Sequence, residues 1–203
     1  MFGFLRQRIL CHGTKFNVPD RHQFWNDLYE SANARFYLIG KTNKSWITKN
    51  SEQPEAFASS ILRIVHGGGK VKILSDDAQT VVDATNAFVD ELILPELQRL
   101  PEHLQTQQIE RLKKHFIYAV SGSSHYRAVV SDDRLVFIPS LNSTQFRDDA
   151  LVFELSKTSA PFEFHTYMSD IDRLFDEESK HIPIDWSSRL AAIDKQTSPG
   201  TAK

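Results

Sequence analysis

The stretch HYRAVVSDDRLVFIPSLN occupies residues 125–142 and predicts two neighbouring β-strands joined by a turn. Successive side chains of a strand point to opposite faces, so His125 and Arg127 project from the same face. Ser140 and Asn142 repeat that spacing after the apolar run LVFIP. One surface then carries an imidazole, a guanidinium, a hydroxyl and an amide, which are groups suited to binding an anion.

The rest of the chain alternates apolar runs of strand length with stretches of helical periodicity. The predicted strands are RFYLIG (35–40), KVKILS (70–75), HFIYAV (115–120), the two of the opening stretch, and ALVFELS (150–156). The predicted helices cover residues 19–33, 52–69, 76–100, 101–114 and 160–180. Helices and strands alternate early and strands cluster late, which predicts an α/β fold with a mixed β-sheet flanked by helices. We predict one domain over residues 1–185 and a disordered tail over 186–203, where polar and small residues dominate.

The composition is that of an ordinary globular protein. The chain has 203 residues, 40% hydrophobic and 25% charged, with a formal net charge of −2, so no global basic field indicates non-specific duplex binding. The single cysteine, Cys11, excludes a disulfide framework and a cysteine-based zinc site within one chain. The scattered histidines and acidic pairs predict neither a metal nor a cofactor. No apolar run reaches the roughly 18 residues of a membrane span, and the N-terminus is a poor signal peptide, so we expect a cytoplasmic protein.

The spacing of the polar residues carries a family resemblance. From His125 the pattern is H-x-R-x4-D-x6-P-S-x-N, through Arg127, Asp132, Ser140 and Asn142. It resembles the H-x-K-x4-D-x6-G-S-x-N motif of the phospholipase D superfamily at every spacing. Arginine replaces the lysine, and a proline replaces the glycine. The resemblance covers about residues 20–175 and implies a phospholipase D-like sandwich fold.

The resemblance also implies a mechanism that needs no metal. A histidine of this superfamily attacks phosphorus and forms a phosphohistidine, and a second histidine protonates the leaving oxygen and then activates water. The basic, hydroxyl and amide side chains hold the non-bridging oxygens as charge builds on them. His125, Arg127 and Asp132 are therefore the candidate catalytic residues, and Ser140 and Asn142 the candidate phosphate ligands. One motif per chain implies a homodimer with a shared site.

Two functions follow from this pattern. The first is a phosphodiesterase, a nuclease more than a lipase, because the sequence shows no secretory signal and no membrane helix. The second is a non-catalytic phospholipase D-like module that binds a nucleotide or nucleic acid in a bacterial regulatory or defence system. Arginine has a different reach from lysine, and Pro139 stiffens the turn before Ser140, so either change favours the second function.

Four further residues have two interpretations each. Asp132 also suits a hairpin turn. Asp149, just before a strand, is either an orienter of the histidine or a solvated residue. Lys41 and Asn43 follow the first predicted strand, where open α/β sheets commonly face ligands. They line a substrate groove, with Trp46 stacking on a base, or they belong to a plain surface loop with Trp46 in the core.

Overall fold

The computed structural model describes residues 8–12, 15–16, 21–47, 54–76, 78–122, 126–139 and 152–197. Within these residues, nine strands form one mixed β-sheet. The strands are β1 (Arg8–His12), β2 (Lys15–Phe16), β3 (Arg35–Ile39), β4 (Lys70–Ser75), β5 (Phe116–Val120), β6 (Tyr126–Ser131), β7 (Arg134–Pro139), β8 (Val152–Ser156) and β9 (Lys180–His181).

The strand order combines a parallel centre with antiparallel flanks. In space the order is β2-β1-β8-β7-β6-β3-β4-β5-β9. β3, β4 and β5 are parallel, and the other neighbouring pairs are antiparallel. The mixed sheet flanked by helices confirms the predicted α/β fold class. The hairpin of β6 and β7 confirms that residues 125–142 contain two adjacent strands.

Helices cover both faces of the sheet. They are α1 (Arg21–Ser31), α2 (Lys44–Ile47), α3 (Pro54–His66), α4 (Gln79–Phe88), α5 (Leu94–Gln98), α6 (Glu102–His115), α7 (Pro161–Asp176) and α8 (Trp186–Thr197). A π-helical turn, Val89–Ile93, joins α4 to α5 without a break. Pro95 is the second residue of α5, so the proline does not end the helical path.

The sheet separates two hydrophobic cores. The larger core lies on the face covered by α1 to α6 and α8, and the smaller core lies under α7. β4 shows the alternation most clearly, because Val71 and Ile73 join the larger core whereas Leu74 joins the smaller one. Both faces of this central strand are buried, and its apolar residues Val71, Ile73 and Leu74 are joined there by the buried polar residues Lys72 and Ser75.

An aromatic cluster fixes the helices of the larger core. The ring of Phe57 in α3 lies with its centroid 5.5–5.6 Å from those of Tyr29, Phe36, Trp46 and Phe88. Such pairs contribute roughly 0.5–1.5 kcal/mol each beyond the burial of their area. Trp46 therefore belongs to the core, which supports the surface-loop interpretation of its segment over base stacking.

The smaller core contains one buried cation. Lys72 of β4 is 6% exposed, and its Nζ lies 3.0 Å from Oδ1 of Asp172 in α7. The same ammonium lies 4.9 Å from the ring centroid of Tyr37 and 5.0 Å from that of Phe175. Burial, with Asp172 second, raises the pKa of the Tyr37 hydroxyl. The ion pair and the two rings together hold α7 against the centre of the sheet.

The ends of the described chain contain two elements that the sequence analysis did not predict. Residues 186–197 form α8, with Trp186 2% exposed and Leu190 6% exposed, so the disordered tail does not begin at residue 186. The rings of Trp186 and Phe116 meet edge to face at 5.4 Å. At the other end, β1 pairs with β8, although no strand was predicted there. No helix in the described ranges is long and apolar enough to cross a bilayer.

Candidate functional site

The candidate site lies where the parallel strands end. β3, β4 and β5 finish at one edge of the sheet, which we call the carboxyl edge. The antiparallel strand β6 starts at the same edge and β7 ends there, because Ile39 pairs with Ala128 and Tyr126 pairs with Pro139. Ligand sites of open α/β sheets commonly lie outside such an edge.

Arg127 is the charged side chain that β6 brings to the carboxyl edge. Ala128 and Val130 face the smaller core and Val129 faces the larger one, so alternation puts Arg127 on the larger-core face. The residue is half-buried. Burial lowers the pKa of its guanidinium, which remains a permanent cation at physiological pH. A partly desolvated cation interacts more strongly with an anion than a fully hydrated one does.

Gly40 forms the surface on which the stem of Arg127 lies. A Cβ placed on this glycine would lie 4.0 Å from Cγ of Arg127 and would overlap Oδ1 of Asn43. Its backbone N–H donates to the carbonyl of Leu74 at 3.1 Å. A Cβ at position 40 would therefore displace the Asn43 side chain, whereas its distance from Cγ of Arg127 is an ordinary van der Waals contact.

Two serines and an aspartate also lie at the carboxyl edge, where Asp76 directly follows β4 and its backbone N–H donates to the Lys41 carbonyl at 2.9 Å. Ser75, the last residue of β4, is fully buried, and its carbonyl accepts the backbone N–H of Ser121 at 2.9 Å. Ser75 lies in phase with Ile73, on the same face as Arg127. Sequence reasoning missed Gly40, Ser75 and Ser121, although each ends or directly follows a predicted parallel strand. Their common position at the carboxyl ends of predicted parallel strands could have identified them from the sequence.

The two predicted groove residues, Lys41 and Asn43, have different environments. Lys41 is exposed beside the carboxyl edge. Asn43 is 8% exposed and donates from Nδ2 to the Leu74 carbonyl at 2.9 Å and to Oγ of Ser75 at 3.0 Å. The amide nitrogen therefore has its partners within the protein, which supports the loop interpretation of Asn43, and a place in a substrate groove stays a prediction.

Asp132 lies at the opposite end of β6 from Arg127. The five intervening steps separate the two Cα atoms by about 16 Å along the strand. Its carboxylate accepts three backbone N–H groups: Asn33 at 3.0 Å, Ala34 at 2.8 Å and Arg35 at 2.9 Å. Its φ of 49° is the left-handed conformation of a turn residue. The structure therefore gives Asp132 a structural role in the turn, the second of its two interpretations, and its catalytic role stays a prediction.

Four of the predicted site residues, His125, Ser140, Asn142 and Asp149, lie outside the described residues. Their roles stay predictions. Of the predicted site residues that the structure describes, Arg127 and Lys41 lie at the carboxyl edge and Asp132 lies at the opposite edge of the sheet. Among the described residues, no three histidine, cysteine or acidic side chains come together as metal ligands.

The described groups of the carboxyl edge can bind an anion. Arg127 supplies a half-buried positive charge and Lys41 an exposed one, whereas Gly40 leaves the backbone open to a close approach. The planar guanidinium fork matches two oxygens of a phosphate, so a phosphate or phosphodiester is the anion that this geometry suits best.

The sequence matches no protein-family model and no curated protein sequence. Similar solved structures include that of TrmBL2, an archaeal chromatin protein described as showing a novel mode of DNA binding. The identity is 14% and the TM-score 0.49, over 87% of this chain and 55% of that chain, so this chain spans about half the length of TrmBL2.

Two further similar structures are shorter. Nuc from Salmonella typhimurium, a phospholipase D family member, is 7% identical with a TM-score of 0.49, over 88% of this chain and all of that one (100%). NucT from Helicobacter pylori is 10% identical with a TM-score of 0.48, over 87% of this chain and 99% of that one.

Proposed function

We propose that the chain is a metal-independent phosphodiesterase of the phospholipase D type that cleaves nucleic acid at a site shared by two copies of the chain. The observation that carries this proposal is the half-buried guanidinium of Arg127 at the carboxyl edge of the sheet. It supports the motif interpretation because Arg127 is the basic residue of that motif. The remaining support is the spacing of His125, Ser140 and Asn142 in the sequence.

In the proposed reaction, His125 attacks the phosphorus of a phosphodiester. A bond forms from the imidazole nitrogen to phosphorus, and the bond to the leaving oxygen breaks. The histidine of the second chain donates a proton to that oxygen. It then takes a proton from water, which attacks the phosphohistidine and releases His125.

Arg127 has the electrostatic role in this scheme. Negative charge builds on the non-bridging oxygens as the five-coordinate state forms, and a fixed cation in a partly desolvated place stabilises it. Ser140 and Asn142 would donate hydrogen bonds to the same oxygens. Lys41, exposed at the same edge, would contact a neighbouring phosphate of the nucleic acid and contribute mainly to binding.

The test compares three variants on single-stranded DNA and on bis(p-nitrophenyl) phosphate, with EDTA present throughout. We expect Arg127→Ala to lower kcat/KM on the order of a hundredfold, the usual effect of removing one donor to the developing charge. Arg127→Lys restores the basic residue of the superfamily motif and keeps most of the activity. Arg173→Ala, which removes an exposed arginine of α7 on the other face, is the matched control and leaves the rate unchanged.

Three outcomes count against the proposal. Cleavage that requires added magnesium or manganese would contradict the mechanism. Equal rates for wild type and Arg127→Ala would contradict the role of the guanidinium. Binding of DNA that depends on Arg127, with no cleavage by any variant, would instead support the non-catalytic module.

A further inference from the structure

We infer that Asn43 is a positioning residue that fixes the stem of Arg127 at the carboxyl edge. The inference concerns the conformation of Arg127, and it depends on the proposed function only for its effect on turnover. Asn43 itself does not contact the substrate in this account. It acts through Gly40 and the end of β4.

The side chain of Asn43 joins the ends of two parallel strands. It follows β3 by four residues, and its Nδ2 donates to the Leu74 carbonyl and to Oγ of Ser75 at the end of β4. The Leu74 carbonyl also accepts the N–H of Gly40, so one acceptor orients both the loop and the glycine. The backbone carbonyl of Asn43 in turn accepts hydrogen bonds from the backbone N–H groups of Trp46 and Ile47 at 2.9 and 3.3 Å. These contacts leave the amide group little freedom.

The amide oxygen occupies the space above Gly40. A Cβ at position 40 would overlap Oδ1 of Asn43, and the same point lies 4.0 Å from Cγ of Arg127. The amide oxygen of Asn43 and the stem of Arg127 thus both border the space that a side chain at position 40 would occupy. Interiors are close-packed, so loss of the amide would leave a void beside this glycine and allow the guanidinium to move.

The backbone of Asn43 offers a clean variant. Its φ is 51°, in the left-handed region that glycine adopts without strain. Asn43→Gly therefore removes the side chain and keeps the backbone conformation. Asn33→Ala is the control, because Asn33 is exposed near the opposite edge of the sheet and also uses its side chain in hydrogen bonds.

The primary measurement is the side-chain Nε–Hε NMR signal of Arg127, assigned by its loss in Arg127→Lys and recorded at a temperature where every variant is folded. We expect this signal to shift and broaden in Asn43→Gly and to stay in place in Asn33→Ala. Where wild type cleaves bis(p-nitrophenyl) phosphate, we expect kcat of Asn43→Gly to fall about tenfold or more with little change in KM, since small misplacement of a catalytic group has effects of this size.

A second pair of variants tests the contact through stability. Gly40→Ala should unfold at a lower temperature than wild type, and Gly40→Ala/Asn43→Gly should recover part of the loss because the overlapping oxygen is gone. An unchanged Arg127 signal in Asn43→Gly would overturn the inference, as would an absence of recovery in the double variant. A shifted signal in a protein that cleaves nothing would uphold the inference and contradict the proposed function.

Discussion

Replacing Asp132 should destabilise the fold and leave the chemistry at the carboxyl edge nearly unchanged. Its carboxylate accepts the backbone N–H groups of three consecutive residues, from Asn33 to Arg35. The donors are almost a hundred residues away in the sequence, so this one side chain joins the β6–β7 turn to the start of β3. Asp132→Gly removes the acceptor and keeps the left-handed backbone free of strain.

The expected magnitude follows from the exposure of the three donors. Two of the bonds are exposed, and water replaces them at a loss of about 0.5 kcal/mol each. The third, to the partly buried N–H of Arg35, is worth about 1.5 kcal/mol or more because the acceptor is charged. Asp132→Gly should therefore lower the free energy of unfolding by about 2–3 kcal/mol. Asp132→Asn retains one acceptor oxygen and should cost about 1 kcal/mol.

Urea denaturation at pH 7 measures these differences. Asp133→Ala is the control, because its exposed carboxylate has only a 3.7 Å ion pair with Lys157 and should change stability by less than about 0.5 kcal/mol. A stability of Asp132→Gly within that same margin of wild type would refute the structural role. So would a complete loss of cleavage by folded Asp132→Asn.

Three other measurements test separate parts of the account. Asp172→Ala should lower the free energy of unfolding by about 3 kcal/mol, because it leaves the buried Lys72 ammonium without its counterion. Lys72→Met removes the charge itself and should lower the free energy of unfolding by less than about 1.5 kcal/mol. Burial, followed by the charges of Lys114, Lys70 and Arg111, lowers the pKa of His115. Below about pH 6.5 the unfolded chain therefore binds more protons than the folded one, so the free energy of unfolding decreases as the pH drops. Urea titrations at pH 7 and pH 5 should show a smaller decrease for His115→Gln than for wild type. Light scattering at micromolar concentration should report a dimer, and a monomer would contradict the shared site.

Much of the fold could be predicted from local patterns of apolar residues. The three parallel strands β3, β4 and β5 were predicted from the short, largely apolar segments RFYLIG, KVKILS and HFIYAV. Central strands of a sheet are buried on both faces, which favours such segments. The α8 segment was missed because only a few of its residues are large and apolar. Trp186 and Leu190 attach this helix to the core, but the contact between Trp186 and Phe116 links distant parts of the chain and cannot be predicted from the local sequence. β1 was missed for a similar reason, since its strand conformation depends on pairing with β8 on one side and the short edge strand β2 on the other.

The roles of the polar residues in the candidate site were harder to predict, because contacts between residues far apart in the sequence decide them. Asn43 follows a strand end and so resembled a ligand-facing residue, but its amide bonds a carbonyl 31 positions away. Asp132 fits the motif spacing, and its partners lie 97 to 99 positions away. Alternation along one strand is a local property, which is why Arg127 was placed correctly at the start of β6.

The central claim is that a histidine of this chain forms a covalent bond to phosphorus without a metal. The most direct test is cleavage of bis(p-nitrophenyl) phosphate in EDTA by wild type and His125→Ala purified side by side, with mass spectrometry of proteins quenched in alkaline denaturant, because the nitrogen–phosphorus bond of a phosphohistidine hydrolyses in acid. The account predicts turnover and a nitrophenyl-phosphate adduct on the His125 peptide of wild type, and neither in the variant. Equal cleavage by the two proteins, or turnover by wild type with no adduct on that peptide under any quench time, would contradict it.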